Sequence, residues 1–119
     1  MFNFLAENNI DLKDLTEKIN SDNSLVLDVR EDHEVEEGHL ASAKWMALSE
    51  LSADPESYVS VLKEKHADKE ILVYCRSGNR SGQTASFLKA AGFNTVNIGA
   101  FEELAQYFDT KDGELEKIS

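Results

Sequence analysis

The chain is predicted to adopt an α/β fold built on a mainly parallel sheet. Strand-like and helix-like stretches alternate along its 119 residues, the pattern of strands joined by helical crossovers. The apolar runs Ser24–Val29 and Ile71–Tyr74 are short and continuous, as strands inside such a sheet are. Several of the helices carry their own start signals.

The first helix reads from Asp11, which can cap it. Leu12, Leu15 and Ile19 share one face, and Ile10 can staple onto Leu15. The strand Ser24–Val29 ends at Arg30. The acidic stretch Glu31–Glu37 is read as a loop with a short helical turn stopped by Gly38, and Ala43–Leu48 as a further strand. Asp54-Pro55-Glu56 opens the next helix with a capping carboxylate, a proline in the first turn and an acid, while Lys63, Lys65 and His66 lie near its negative end. The strand Ile71–Tyr74 delivers Cys75. Ala85, Leu88 and Ala91 then mark a buried helix face closed by Gly92, Asn94–Ile98 is another strand, and Phe101, Leu104, Ala105 and Phe108 form a last amphipathic helix. No linker divides the chain, so residues 1–119 are read as one domain, with 110–119 a polar, loosely ordered tail.

Composition narrows the function. An apolar content of 41% supports a globular core, and no apolar stretch is long enough for a bilayer span. The formal net charge of −11 argues against nucleic acid and anionic membrane as partners. A lone cysteine excludes an internal disulfide and fits a reducing compartment, with the cytoplasm as the expected location. The N-terminus has neither a basic segment nor a long apolar run of the secretory kind.

The chemistry concentrates in Cys75-Arg76-Ser77-Gly78-Asn79-Arg80-Ser81. Lying between a buried strand and a helix start, this segment gathers unpartnered backbone N–H groups at the positive end of a helix dipole. A sulfur nucleophile must be ionised: at an ordinary pKa of about 8.5 only about 3% is thiolate at pH 7, and a fall of about two units makes it roughly three quarters. Gly78 permits a tight turn and Asn79 is the next residue best suited to one. Ser77 and Ser81 offer hydroxyl donors, and Arg76 and Arg80 attract an anionic donor or order the loop. Cys75 is thus the expected nucleophile, with Arg76, Ser77, Gly78, Asn79, Arg80 and Ser81 forming its binding loop.

Asp28, Arg30, Glu34 and His39 are read as a hydrogen-bonded, ionic brace near the C-terminal edge of the sheet, since a carboxylate ending an apolar strand needs a partner. Trp45 and Met46 are assigned either to the mouth of a pocket or to half-buried core. His33, His39 and His66 are too scattered for a metal site.

The loop resembles the active-site loop of single-domain members of the rhodanese (sulfurtransferase) family. Leu27-Asp28-Val29-Arg30-Glu31 with Glu34, Gly38-His39-Leu40 and Ala43 is similar to the family's other known stretch, as are Ala91-Gly92-Phe93 and Val96-Asn97-Ile98-Gly99 to its later pattern. The resemblance runs from about Leu12 to Phe108. It implies a three-layer α/β/α sandwich on a central, mainly parallel sheet of about five strands. It also implies Cys75 as a persulfide-forming nucleophile, loaded by a sulfane-sulfur donor such as thiosulfate and unloaded by cyanide or a cellular thiol. No metal or organic cofactor is expected, and a protein partner in a sulfur relay is possible chemistry for such a loop. Two rivals stand beside this reading: a sulfur-carrying module without turnover, and a phosphatase or arsenate reductase. Phosphatases of related architecture place the loop arginine one position later than Arg80, at the position held here by Ser81, which weighs against the last.

Overall fold

Alternation along the strands decides which side chains meet which layer. A computed structural model describes residues 3–119. In β1 (Ser24–Asp28) and β4 (Glu70–Cys75), Leu25, Leu27, Ile71, Val73 and Cys75 point to one face of the sheet; Val26, Leu72 and Tyr74 point to the other. Both faces are therefore apolar, and both are covered by helices, as a parallel sheet requires. Strands β3 (Ala43–Trp45), β1, β4 and β5 (Thr95–Ala100) lie in that order, all parallel, with an irregularity between Val73 and Tyr74 where β5 pairs.

On the first face pack α4 (Leu48–Ala53), α5 (Pro55–His66) and α6 (Asn79–Ala90), through Leu51, Leu62, Ala85 and Leu88. The second is covered by α1 (Phe4–Glu7), α2 (Leu12–Ile19), α3 (Asp32–Glu37) and α7 (Phe101–Leu104), through Leu5, Leu15, Ile19, Val35 and Leu104. The Asp11 side chain accepts from Asp14 N at 3.2 Å and that of Asp54 from Ser57 N at 3.4 Å, so both expected caps form.

The α/β/α sandwich is as expected, with differences of detail. The parallel sheet has four strands, not about five; β2 (His39–Leu40) and β6 (Thr110–Lys111) make a separate antiparallel pair. The stretch Ala43–Leu48 is extended only to Trp45, and Leu48 opens α4. The last helix ends at Leu104, after which the chain turns tightly and still half-buries Phe108.

The tail expected to be loose is ordered instead. Leu115 and Ile118 are buried, Ala41 N donates to Asp109 O at 2.8 Å, and Trp45 exchanges backbone bonds with Glu116 (2.9 Å) and Ile118 (3.0 Å). Two apolar residues spaced to reach the core anchor an otherwise polar segment. Met46 is buried in the core on the first face, and Trp45 is half-buried against the cluster on the second, its Nε1–H donating to Arg30 O at 2.8 Å. Among the described residues no helix is long and apolar enough to cross a membrane.

Candidate active site

Cys75 is the last residue of β4, and its side chain points to the face covered by α6. The chain must then turn from strand to helix within Arg76–Gly78. Gly78 caps α6 at φ 99°, a backbone conformation open to glycine at little cost. The Phe4 ring of α1 lies against it: a Cβ at Gly78 would stand 2.7 Å from Phe4 Cε2, and the same ring covers Gly99. The turn therefore needs glycine twice over, for its dihedral angles and for the close approach of an aromatic side chain.

Three donors converge on the sulfur. Gly78 N–H lies 3.1 Å from Cys75 Sγ, Ser81 N–H 3.4 Å and the Ser81 hydroxyl 3.3 Å. Burial pushes the thiol pKa up. The Ser81 hydroxyl, then the N–H groups of Ser81, Gly78 and Ser77, outweigh it and bring the pKa below its ordinary value. The sulfur's ionised form is thus favoured by neutral dipoles fixed in a turn. The Cys75 residue has no exposed surface, whereas Arg76, Ser77 and Asn79 on the rim are exposed.

Arg80 does not present a free cation to the sulfur. Its Nη1 and Nη2 bond both oxygens of Glu34, at 2.6 and 2.8 Å, tying the start of α6 to α3. That hydrogen bonding from Arg80 is the main cause of a Glu34 pKa lowered from 4.5 to about 2; burial opposes it, and the Glu31 N–H and the charges of Arg80 and Arg30 assist. Because the folded value is depressed, the stabilisation is complete above pH 4.5 and is lost as pH falls toward 2. With both side chains partly exposed, about 1 kcal/mol is expected. Urea midpoints of the native protein and Glu34→Gln should be well separated at neutral pH and converge as pH falls from 4.5 to about 2; a constant gap would remove the charge from this account.

The brace expected around Arg30 forms in two linked parts. Arg30 is buried and bonds Asp28 through Nε and Nη2, at 3.0 and 2.7 Å, while Nη2 also reaches Gly38 O at 2.6 Å. The Phe101 ring lies 4.4 Å from its guanidinium carbon. His39 stays outside this set, its Nδ1 meeting Val35 O at 2.9 Å. Arg30, Arg76, Gly38 and Phe101 line a cavity of about 300 Å³ at the C-terminal ends of β1, β4 and β5, where the strand order reverses and ligands of open α/β sheets gather.

The structure thus brings together Cys75, Ser77, Gly78 and Ser81 around one sulfur, sets Arg76 on the rim and commits Arg80 to Glu34. Asn79 has ordinary helical backbone as the first residue of α6, so the left-handed position belongs to Gly78 alone within the loop. Phe4 and Asn97 were not among the expected site residues. Asn97, on β5, donates from Nδ2 to Gly78 O at 3.0 Å and accepts at Oδ1 from Ser81 Oγ at 2.7 Å. Its only sequence signal is an amide inside an apolar strand, which demands partners without naming them.

The family profile described as "Rhodanese-like domain" matches residues 11–106. The chain is 41% identical over 85 residues to "Putative sulfurtransferase YtwF" of Bacillus subtilis (strain 168), covering 71% of this chain and 76% of that one. It is 31% identical over 83 residues to a tRNA uridine(34) hydroxylase of Salmonella newport (strain SL254), where the match covers 70% of this chain but only 23% of the hydroxylase. Among solved structures, a rhodanese-related protein from Thermoplasma volcanium superposes with a TM-score of 0.66 at 31% identity, over 83% of this chain and 92% of the other. Fold, loop and sequence agree: the chain belongs to the rhodanese-like domain family of sulfurtransferases.

Proposed function

We propose that this chain transfers sulfane sulfur from an anionic donor such as thiosulfate to a thiophilic acceptor, cyanide or a cellular thiol, through a persulfide on Cys75. Convergence of three donors on one sulfur of depressed pKa carries the reading. In the first step Cys75 thiolate attacks the outer sulfur of thiosulfate; the new S–S bond forms as the donor's S–S bond breaks, and sulfite leaves with the electron pair. In the second, the acceptor attacks the outer sulfur of the persulfide, and the pair returns to Cys75 Sγ. Charge is conserved in both steps, and the ring of donors favours Sγ when it carries that charge.

Incubation with thiosulfate is expected to add the mass of one sulfur atom to the intact protein, and cyanide should remove it as thiocyanate over many cycles. Absence of the added mass would reject the reading; loading followed by a single discharge would favour the carrier. The reducing cytoplasm suits the lone thiol, and a protein acceptor would meet it at the exposed rim of Arg76 and Ser77.

Burial of Cys75 makes a second, kinetic prediction. Loop opening must precede attack on any large electrophile, so iodoacetamide should alkylate the native protein at least about tenfold faster than a bulky aromatic disulfide reacts, once each rate is divided by that for the urea-unfolded chain. Equal ratios would place the sulfur at the surface.

A further inference from the structure

The Ser81 hydroxyl has one proton and two acceptors within reach, Cys75 Sγ at 3.3 Å and Asn97 Oδ1 at 2.7 Å. We propose that Asn97 is a positioning residue that holds this proton while Cys75 Sγ is uncharged and releases it to Sγ whenever the sulfur bears the negative charge of the reaction.

The amide orientation is fixed from both ends. Nδ2 must face Gly78 O, 3.0 Å away, because a carbonyl takes only a donor; Oδ1 must face Gly99 N–H, 3.1 Å away, because an N–H takes only an acceptor. Gly99 keeps Oδ1 hydrogen-bonded after the serine proton leaves, so the exchange orphans no group. Ser81 and Cys75 both have 0% exposure, so bulk water is no ready third partner for the proton. Serine needs only a rotation about its C–O bond to change acceptor.

The chemistry gives this rotation a direction. With a neutral thiol, S–H can donate to Ser81 Oγ while Ser81 donates to Asn97. Ionised sulfur is the stronger acceptor and draws the hydroxyl to itself. Once the persulfide forms, Sγ is a neutral bridging sulfur and a poor acceptor, and the proton returns to Asn97. Sγ is charged when it attacks the donor and charged again when it leaves toward the acceptor. The hydroxyl thereby assists both half-reactions without anchoring the intermediate between them. Arg80, whose charge acts on Cys75, is held by Glu34 through bonds that involve neither the Ser81 nor the Asn97 side chain.

The test is a double-mutant cycle on the thiol pKa, read from the pH dependence of iodoacetamide alkylation. Ser81→Ala should raise that pKa by about one unit, a tenfold loss of thiolate at pH values below it. Asn97→Ala has two opposed effects, since it frees Gly78 O but also removes the competitor for the hydroxyl. Its upward shift should therefore be larger in the Ser81→Ala background than in the native one, by about half a unit. Equal shifts in the two backgrounds, or a smaller one with Ser81→Ala, would overturn the proposal, the latter meaning that Asn97 merely steadies the hydroxyl on the sulfur. Asn97→Leu, which keeps the side-chain volume, runs through the same cycle and must give the same sign. In single-turnover measurements Ser81→Ala should slow both persulfide loading by thiosulfate and discharge by cyanide; slowing of loading alone would also overturn it. The kinetic arm rests on the sulfur-transfer reading, but the alkylation cycle needs no sulfur donor. A chain that never takes sulfur from thiosulfate could still show the coupling, and the two failures stay distinct.

Discussion

Cys75→Ser is expected to abolish thiosulfate-dependent thiocyanate formation, a fall of about a thousandfold or more to the uncatalysed background. The reason lies in the atom, not in the shape of the site. An alcohol is un-ionised at neutral pH and forms no counterpart of the persulfide, so neither half-reaction has a carrier. Cys75 is the chain's single cysteine, and no second sulfur stands in for it. The fold should persist, because the Gly78 and Ser81 donors that meet Sγ can equally meet a buried hydroxyl. Melting temperature and far-ultraviolet dichroism should therefore stay close to native while turnover disappears. Turnover retained in the folded variant would remove Cys75 from the mechanism; turnover lost together with the fold would say only that the position is structural, and Cys75→Ala then repeats the comparison without a polar atom to bury.

The setting of the Cys75 sulfur was legible because strand, glycine turn and helix start follow one another without a gap, and local geometry alone collects N–H groups there. Asp11 and Asp54 were legible as caps for the same local reason. What escaped is long-range. Asn97 reaches Ser81 from β5, and nothing along the chain says which face of that strand meets α6, since the pairing irregularity at Val73 and Tyr74 alters the register just beside it. Phe4 escaped because α1 is too short to show periodicity, yet its ring rests on Gly78 and Gly99. The tail misled through its polarity: Leu115 and Ile118 are isolated apolar residues in a charged segment, and their burial is long-range, Leu115 joining the cluster on one face of the sheet and Ile118 the cluster on the other. The role of Arg80 was half legible. Its charge near the sulfur followed from spacing, but its commitment to Glu34 depends on where α3 docks.

Asp28→Ala is expected to be the most destabilising single change near the site, costing about 3–5 kcal/mol against a typical total of about 5–15. Asp28 has no exposed surface and Arg30 only 5%, so the substitution leaves a guanidinium desolvated with its carboxylate partner gone. The carboxylate also accepts Arg30 N–H at 3.0 Å, fixing the turn that follows β1. From that turn Arg30 O receives Trp45, and Nη2 holds Gly38 at the end of α3, the helix that carries Glu34 to Arg80. Loss of the pair should thus pass through α3 to the loop, and a lower denaturation midpoint should come with a less acidic Cys75. The pair's net worth is a separate matter. Asp28→Ala combined with Arg30→Met removes both charges and keeps an apolar stem beside Phe101, so it should recover most of the lost stability. If the single change costs less than about 1 kcal/mol, or the double change costs as much as the single, the buried ion pair is not what holds α3 against the sheet.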